Sequence, residues 1–229
     1  MTIFNKHISH LFAAALPVLL AACTSETYDT GDGTYSYLRA DFAELHTGDD
    51  KYVDWFNTDD DNKLYVEEPF TKSWITMADS LYRALVYYNM ETSDDDDSTV
   101  SVISVSQIPV LNILSSAVLG ELVTDPVTFG SVWLSKNKSY INIGFSLMTG
   151  TADDDGAVQS VGIVSTGIEI LDDGTKCTCL TLYHDQGDVP EYYSSQQYIS
   201  IDVDDITTPS VKITVNDYDG TVTKTLSLE

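Results

Sequence analysis

Along most of the chain, short runs that alternate apolar with polar residues are cut by turn sequences rich in Asp, Asn and Gly. In the second half these cuts read Asn137-Lys138, Asp153-Asp154-Asp155-Gly156, Asp172-Asp173-Gly174 and Asp219-Gly220. Asp-Gly pairs supply the positive φ of tight hairpin turns, so the interruptions predict reversals between strands. Alternation with a period of two buries one face of each run and wets the other, and hardly any segment carries the longer period of a helix. Fourteen Tyr and abundant Val, Ile and Thr favour the same extended conformation. The expected fold class is all-β.

The runs fall into two groups. Tyr35 to Leu45, Tyr52 to Phe56, Leu64 to Glu67, Tyr82 to Met90 and Val100 to Ile108 make about five strands, enough for a small OB-like barrel over residues 35–108. A loop or single helical turn is expected around Trp74 to Ser80. Residues 109–126, PVLNILSSAVLGELVTDP, break the alternation between two prolines and are read as a linker. Beyond it, roughly seven runs (Val127 to Lys136, Ser139 to Met148, Val158 to Leu171, Thr175 to His184, Tyr192 to Asp204, Val211 to Asp217, Thr221 to Leu228) predict an antiparallel β-sandwich over residues 127–229.

The N-terminus has a different logic. Lys6 precedes an apolar run from Leu11 to Ala22 broken by Pro17, the pattern of an export signal over residues 1–22. About a dozen apolar residues fall short of the roughly 20 that span a bilayer as a helix. Cys23 follows Leu20-Ala21-Ala22 directly, as in a bacterial lipobox, where the thiol takes a diacylglyceryl group and becomes the new N-terminus. Each buried CH₂ contributes about 0.8 kcal/mol and two acyl chains anchor stably where one is marginal, so the mature chain is expected to hang from a membrane. The polar stretch from Thr24 to Thr34, TSETYDTGDGT, extends the lipidated segment 23–34 as a tether.

Charge narrows the partners. Removing residues 1–22 takes away Lys6 alone, leaving 10 basic against 36 acidic side chains, a formal charge of −26. Phosphate backbones need the opposite sign, which excludes DNA and RNA. An excess of this size also serves solubility. With Cys23 acylated, Cys177 and Cys179 remain. At i and i+2 on one strand their Cβ atoms lie too far apart for a disulfide, and they are read as two small strand residues.

Several acidic clusters resemble metal loops. Counting Asn57 as position 1 puts Asp59 at position 3, Asp61 at 5, Leu64 at 8 and Glu68 at 12, the register of a calcium-binding EF loop. Asn62 stands where Gly makes the sharp turn and Pro69 follows where a helix would begin, so the stretch reads as a hydrated hairpin loop with adventitious calcium capture as the alternative. Asp94 to Asp97 and Asp153 to Asp155 are read the same way. No cofactor is expected. His184 beside Asp185 is read as a strand-end histidine satisfied by a turn, and His46 likewise; no nucleophile elbow, zinc-protease helix or phosphate loop accompanies them. Trp55 and Trp133 lie within apolar alternation and are expected to pack in cores. Trp74, in a loop-like segment, is the candidate exposed contact or interdomain plug, with Tyr192 and Tyr193 as further candidate binding residues.

The second half, with Asp125-Pro126-Val127, Val132-Trp133-Leu134, Tyr140-Ile141-Asn142-Ile143, Leu180-Thr181-Leu182-Tyr183-His184, Gly187-Asp188 and Asn216-Asp217-Tyr218-Asp219-Gly220, resembles the NigD-like family of bacterial lipoproteins. Leu64-Tyr65 after its acidic turn and Ala84-Leu85-Val86-Tyr87-Tyr88 are similar to that family's barrel domain. Residues 69–80, PFTKSWITMADS, depart from its Gly-rich basic turn. The resemblance implies an OB-type barrel followed by a C-terminal sandwich, an outer-membrane address in anaerobic Gram-negative bacteria, and a link to bacteriocin immunity; most members have no established activity. The functional expectation is a non-enzymatic envelope module that binds a protein, toxin or glycan. The alternatives are an adhesin or structural subunit polymerising through donated strands, or a glycan-active enzyme using paired carboxylates.

Overall fold

The computed structural model describes residues 38–90, 98–119, 121–151 and 157–229. Cys23, the export signal, the tether and the acidic runs 94–97 and 153–155 lie outside the described residues.

Five strands close the first barrel: β1 (Leu38–Thr47), β2 (Val53–Thr58), β3 (Lys63–Phe70), β4 (Leu81–Met90) and β5 (Thr99–Gln107). Their order around it is β1-β2-β3-β5-β4, with β4 returning to β1, the connectivity of an OB-type barrel. Alternation explains the inward faces. Ala43 and Leu45 of β1, Phe56 of β2, Leu64 and Val66 of β3, and Ala84, Val86 and Tyr88 of β4 share one buried cluster. The closure is weakest between β3 and β5, which run parallel and pair only through Tyr65 with Thr99 and Val66 with Val100.

The segment 71–80 covers the barrel core. Trp74 is half-buried against it and Ile75 is buried. The Tyr82 hydroxyl fixes this segment by accepting hydrogen bonds from the backbone N–H groups of Thr76 (2.8 Å) and Met77 (2.7 Å). The Thr47 hydroxyl donates to the Ser80 carbonyl at 3.1 Å and accepts from the Ser80 N–H at 2.9 Å.

Eight further strands build the sandwich: β6 (Ile113–Ser115), β7 (Thr128–Leu134), β8 (Tyr140–Thr149), β9 (Ser160–Ile170), β10 (Lys176–Asp185), β11 (Tyr193–Asp202), β12 (Ser210–Asp217) and β13 (Gly220–Ser227). One sheet runs β13-β12-β10-β9-β6 and the other β11-β8-β7. The five-stranded sheet is mixed where an antiparallel one was expected, because β10 pairs parallel with β12, and β6 pairs parallel with β9. The strand β6 and a four-residue helix, α1 (Ser116–Leu119), come from the segment read as a linker. That segment is stitched to the sandwich by parallel bridges from Val110 to Ser200 and from Thr124 to His184. Gly174 and Gly220 take the positive φ expected of their turns, 84° and 120°.

Strand β8 explains how barrel and sandwich meet. Ile141, Ile143, Phe145 and Leu147 point into the sandwich core. The alternate residues Tyr140, Asn142 and Gly144 face the barrel and are also buried, so β8 is buried on both faces from Tyr140 to Phe145. Barrel and sandwich belong to one compact unit, Tyr37–Glu229.

Candidate functional site

Between barrel and sandwich lies a buried polar network centred on Arg83 of β4. Its side chain is 1% exposed. The Nη1 and Nη2 atoms donate to the two carboxylate oxygens of Asp59 at 2.6 and 2.7 Å, a bidentate fork. Nη2 also donates to Asn142 Oδ1 at 3.1 Å, and Nε donates to the Ser200 hydroxyl at 3.3 Å. Asn142 closes the circuit by donating from Nδ2 to Asp59 at 3.0 Å and accepting from the Ser200 hydroxyl at 2.7 Å. The guanidinium lies over the Tyr140 ring, 4.2 Å from its centroid. The Tyr140 hydroxyl donates to Glu44 at 2.6 Å; burial first, and then this carboxylate, push its pKa above the ordinary tyrosine range. Phe42 of β1 meets Trp133 and Tyr198 edge-on, with centroids 5.2 and 5.3 Å away. Arg83 and Asp59 come from the barrel, and Asn142 and Ser200 from the sandwich, so the network joins the two halves.

The structure separates the residues of the calcium-like register. Asp59 turns inward to Arg83. Asp61 takes a left-handed φ of 65° in the turn that follows, its N–H donating to the Thr58 carbonyl at 2.9 Å. Glu68 lies five residues beyond Lys63 on β3, roughly 17 Å at the usual strand rise. Among the described residues no cluster of three metal-ligating side chains forms. His184 is 1% exposed. Its Nδ1–H donates to the Asp125 carbonyl and its Nε2 accepts from the Gln159 amide, each at 3.0 Å, which fixes the tautomer and fastens residues 123–125 to β10. Cys177 and Cys179 are free thiols on β10.

The candidate aromatics scatter. Trp74 packs over the barrel core with its ring edge toward Tyr82, centroids 5.9 Å apart. Tyr192 and Tyr193 are exposed at the start of β11, and the Tyr192 ring lies so close to Gly150 that an added Cβ there would meet it at 2.8 Å. Trp133 lies at the junction with the barrel. Trp55 is not in the barrel core: a bulge between Val53 and Trp55 turns its ring to the outer face.

On that outer face the strand register lines up three rings, His46 opposite Trp55 and Trp55 opposite Tyr65. The His46 and Trp55 rings stack, 3.4 Å between centroids and 16° between planes. The Lys63 ammonium lies 3.7 Å from the Trp55 centroid and 5.1 Å from that of Tyr65. Burial under the indole lowers the His46 pKa below 6.5; Lys63 lowers it further, while Glu44 and Asp54 act against the shift. Sequence reading passed over Lys63 and Tyr65. The available signal was their shared parity with exposed Glu67 on β3, opposite to buried Leu64 and Val66. A separate cleft of about 390 Å³ opens in the side of the sandwich, with Leu111, Phe145, Leu147, Val161 and Ile199 on its walls.

Comparison with solved structures finds this fold elsewhere. A NigD-like immunity protein from Bacteroides caccae superposes with a TM-score of 0.60 at 20% identity, covering 81% of this chain and 91% of that one. A protein of unknown function from Bacteroides vulgatus matches with a TM-score of 0.60 at 18% identity, over 82% of this chain and 90% of its own. A protein from Bacteroides fragilis, provisionally called a lipoprotein, matches with a TM-score of 0.56 at 12% identity, over 84% and 98%. No family profile matches the sequence, and no curated protein matches it. The barrel-plus-sandwich architecture implied by the resemblance to the NigD-like lipoproteins is thus the architecture this chain has.

Proposed function

We propose that the chain is an outer-membrane lipoprotein of the NigD-like kind, held by acyl groups on Cys23, that works without catalysis as a binding module of the envelope. The observation that carries this reading is the fold shared with the Bacteroides caccae immunity protein over nearly all of that protein's length. The lipobox at Leu20-Ala21-Ala22-Cys23 supports the address. No described helix is long and apolar enough to cross a membrane. The buried network has a structural role, because Arg83, Asp59, Asn142 and Ser200 hydrogen-bond to one another and are spent on joining barrel to sandwich. An immunity-like form of this function is interception of a toxin by the anchored body.

Fractionation and mass spectrometry test the address. The native protein should sediment with outer membranes and yield an N-terminal peptide that begins at acylated Cys23. Cys23→Ala should be released or accumulate as the unprocessed precursor. A native chain bearing an unmodified, internal Cys23 would overturn the anchor.

A further inference from the structure

The row of rings on β1, β2 and β3 holds a cation already. The Lys63 ammonium sits between the Trp55 and Tyr65 rings, and the electron-rich faces of indole and phenol attract such a charge. Lys63 is exposed and Tyr65 is 45% exposed, so water reaches the ammonium and a competing cation can reach the rings. His46 blocks the other indole face by stacking on it. The flanking charge is acidic. Asp54 and Glu67 are exposed beside Trp55 and Tyr65, and Glu44 lies one row nearer the sandwich. The whole chain carries a formal charge of −25. The outer face of strands 2 and 3 is also where barrels of this connectivity present ligand surfaces. With phosphate ligands excluded by charge, and both faces of Trp55 covered by imidazole and ammonium, the complementary occupant is a positively charged polypeptide segment.

We propose that the outer face of β1–β3 is a docking surface for a cationic polypeptide segment, one of whose arginine or lysine side chains replaces Lys63 between Trp55 and Tyr65. This rests on the binding-module reading and names the chemical class of its partner. Lys63 acts as a built-in occupant that keeps the rings covered when the partner is away. Arginine fits better than lysine, because a planar guanidinium stacks on an indole and is more weakly hydrated than an ammonium.

The probe is a short peptide of alternating Gly and Arg, compared with its Gly-Lys counterpart and with a neutral glucose tetrasaccharide, added to the mature protein at about 0.15 M salt, where charges beyond roughly 8 Å are screened. The Trp55 indole N–H resonance of the native protein should shift with the arginine peptide, more weakly with the lysine peptide, and stay still with the sugar. Trp55→Ala and, separately, Tyr65→Ala should weaken the arginine peptide by roughly threefold to tenfold. Lys63→Ala should tighten it, whereas Lys176→Ala, which removes the same charge from an exposed site on β10, should not. The native-protein resonance needs no variant to fold, so a failed substitution does not shield the proposal. An unmoved Trp55 resonance, or a shift with the sugar alone, overturns the cationic partner. If that happens while the chain stays acylated and membrane-bound, only this inference falls; release of the native chain from membranes strikes the anchored-module reading instead.

Discussion

Arg83 shows what a single residue does in this molecule. A guanidinium this deeply buried is tolerable because Asp59 pairs with it bidentately and Asn142 and Ser200 each accept one further hydrogen bond from it. Arg83→Ala strands the Asp59 carboxylate and should cost about 3–5 kcal/mol in urea unfolding. The paired change Arg83→Met with Asp59→Leu should cost clearly less than the two single changes added together, because neither charge is then left alone. His46 supplies a second residue-scale test. Its pKa lies below the ordinary value because the charged ring is disfavoured under Trp55 and beside Lys63. The unfolded chain therefore binds the proton first. His46 adds no penalty above about pH 6.5 and lowers stability as the pH falls from there through its folded pKa. The imidazole resonances should titrate with a midpoint below 6.5, and Trp55→Ala should move it upward. From the sequence, Asp59 was indistinguishable from the other acids of its turn. Alternation says which face a residue occupies, but not that Arg83 finds Asp59, Asn142 and Ser200 at separations of 24, 59 and 117 residues along the chain.

Among the elements, β8 and the segment before β7 carry the most information that periodicity could not supply. All the predicted strands form, because turn chemistry and alternation are local properties. The strand β6 was hidden because three residues are too few to show a period, and its partner β9 lies about fifty residues ahead. In β8, Asn142 and Gly144 read as the solvent side of a half-buried strand, whereas both face the barrel. Gly144 is there for contact: a Cβ would come within 2.8 Å of the Tyr198 ring, which itself packs against Phe42. Gly144→Ala should destabilise by about 1–3 kcal/mol in the same urea assay and displace the Tyr198 ring resonances. The start of β7 hangs on Asp217 of β12. Its carboxylate accepts from the N–H groups of Asp219 (2.9 Å) and Phe129 (2.6 Å), which hold its pKa below the usual aspartate range. With a depressed folded pKa, this support is complete above the unfolded aspartate pKa, about 3.9, and is lost as the pH falls through the folded one. Asp217→Asn should therefore lower stability at neutral pH and flatten the acid limb of the stability profile.

At the scale of the whole molecule, barrel and sandwich form one presenting body. The hydrophobic clusters of barrel and sandwich are separate, and the face between them is polar and aromatic, built from Arg83, Asp59, Tyr140, Asn142, Ser200 and the edge-on contacts of Phe42. The existence of two halves was legible, because composition and turn spacing change at residues 109–126. Their join was not, because it depends on which outward faces meet. The ring row on β1–β3 remains outside this join and open to a partner. If the network fixes the halves, they must unfold together. The most direct measurement is urea unfolding followed residue by residue by amide hydrogen exchange, reading Leu45 and Phe56 in the barrel against Ile143 and Ile213 in the sandwich. The native chain should give one free energy for all four amides, and Arg83→Ala should lower them and split barrel from sandwich. Different free energies in the native chain, or an Arg83→Ala profile that overlays it, would contradict a body joined through Arg83.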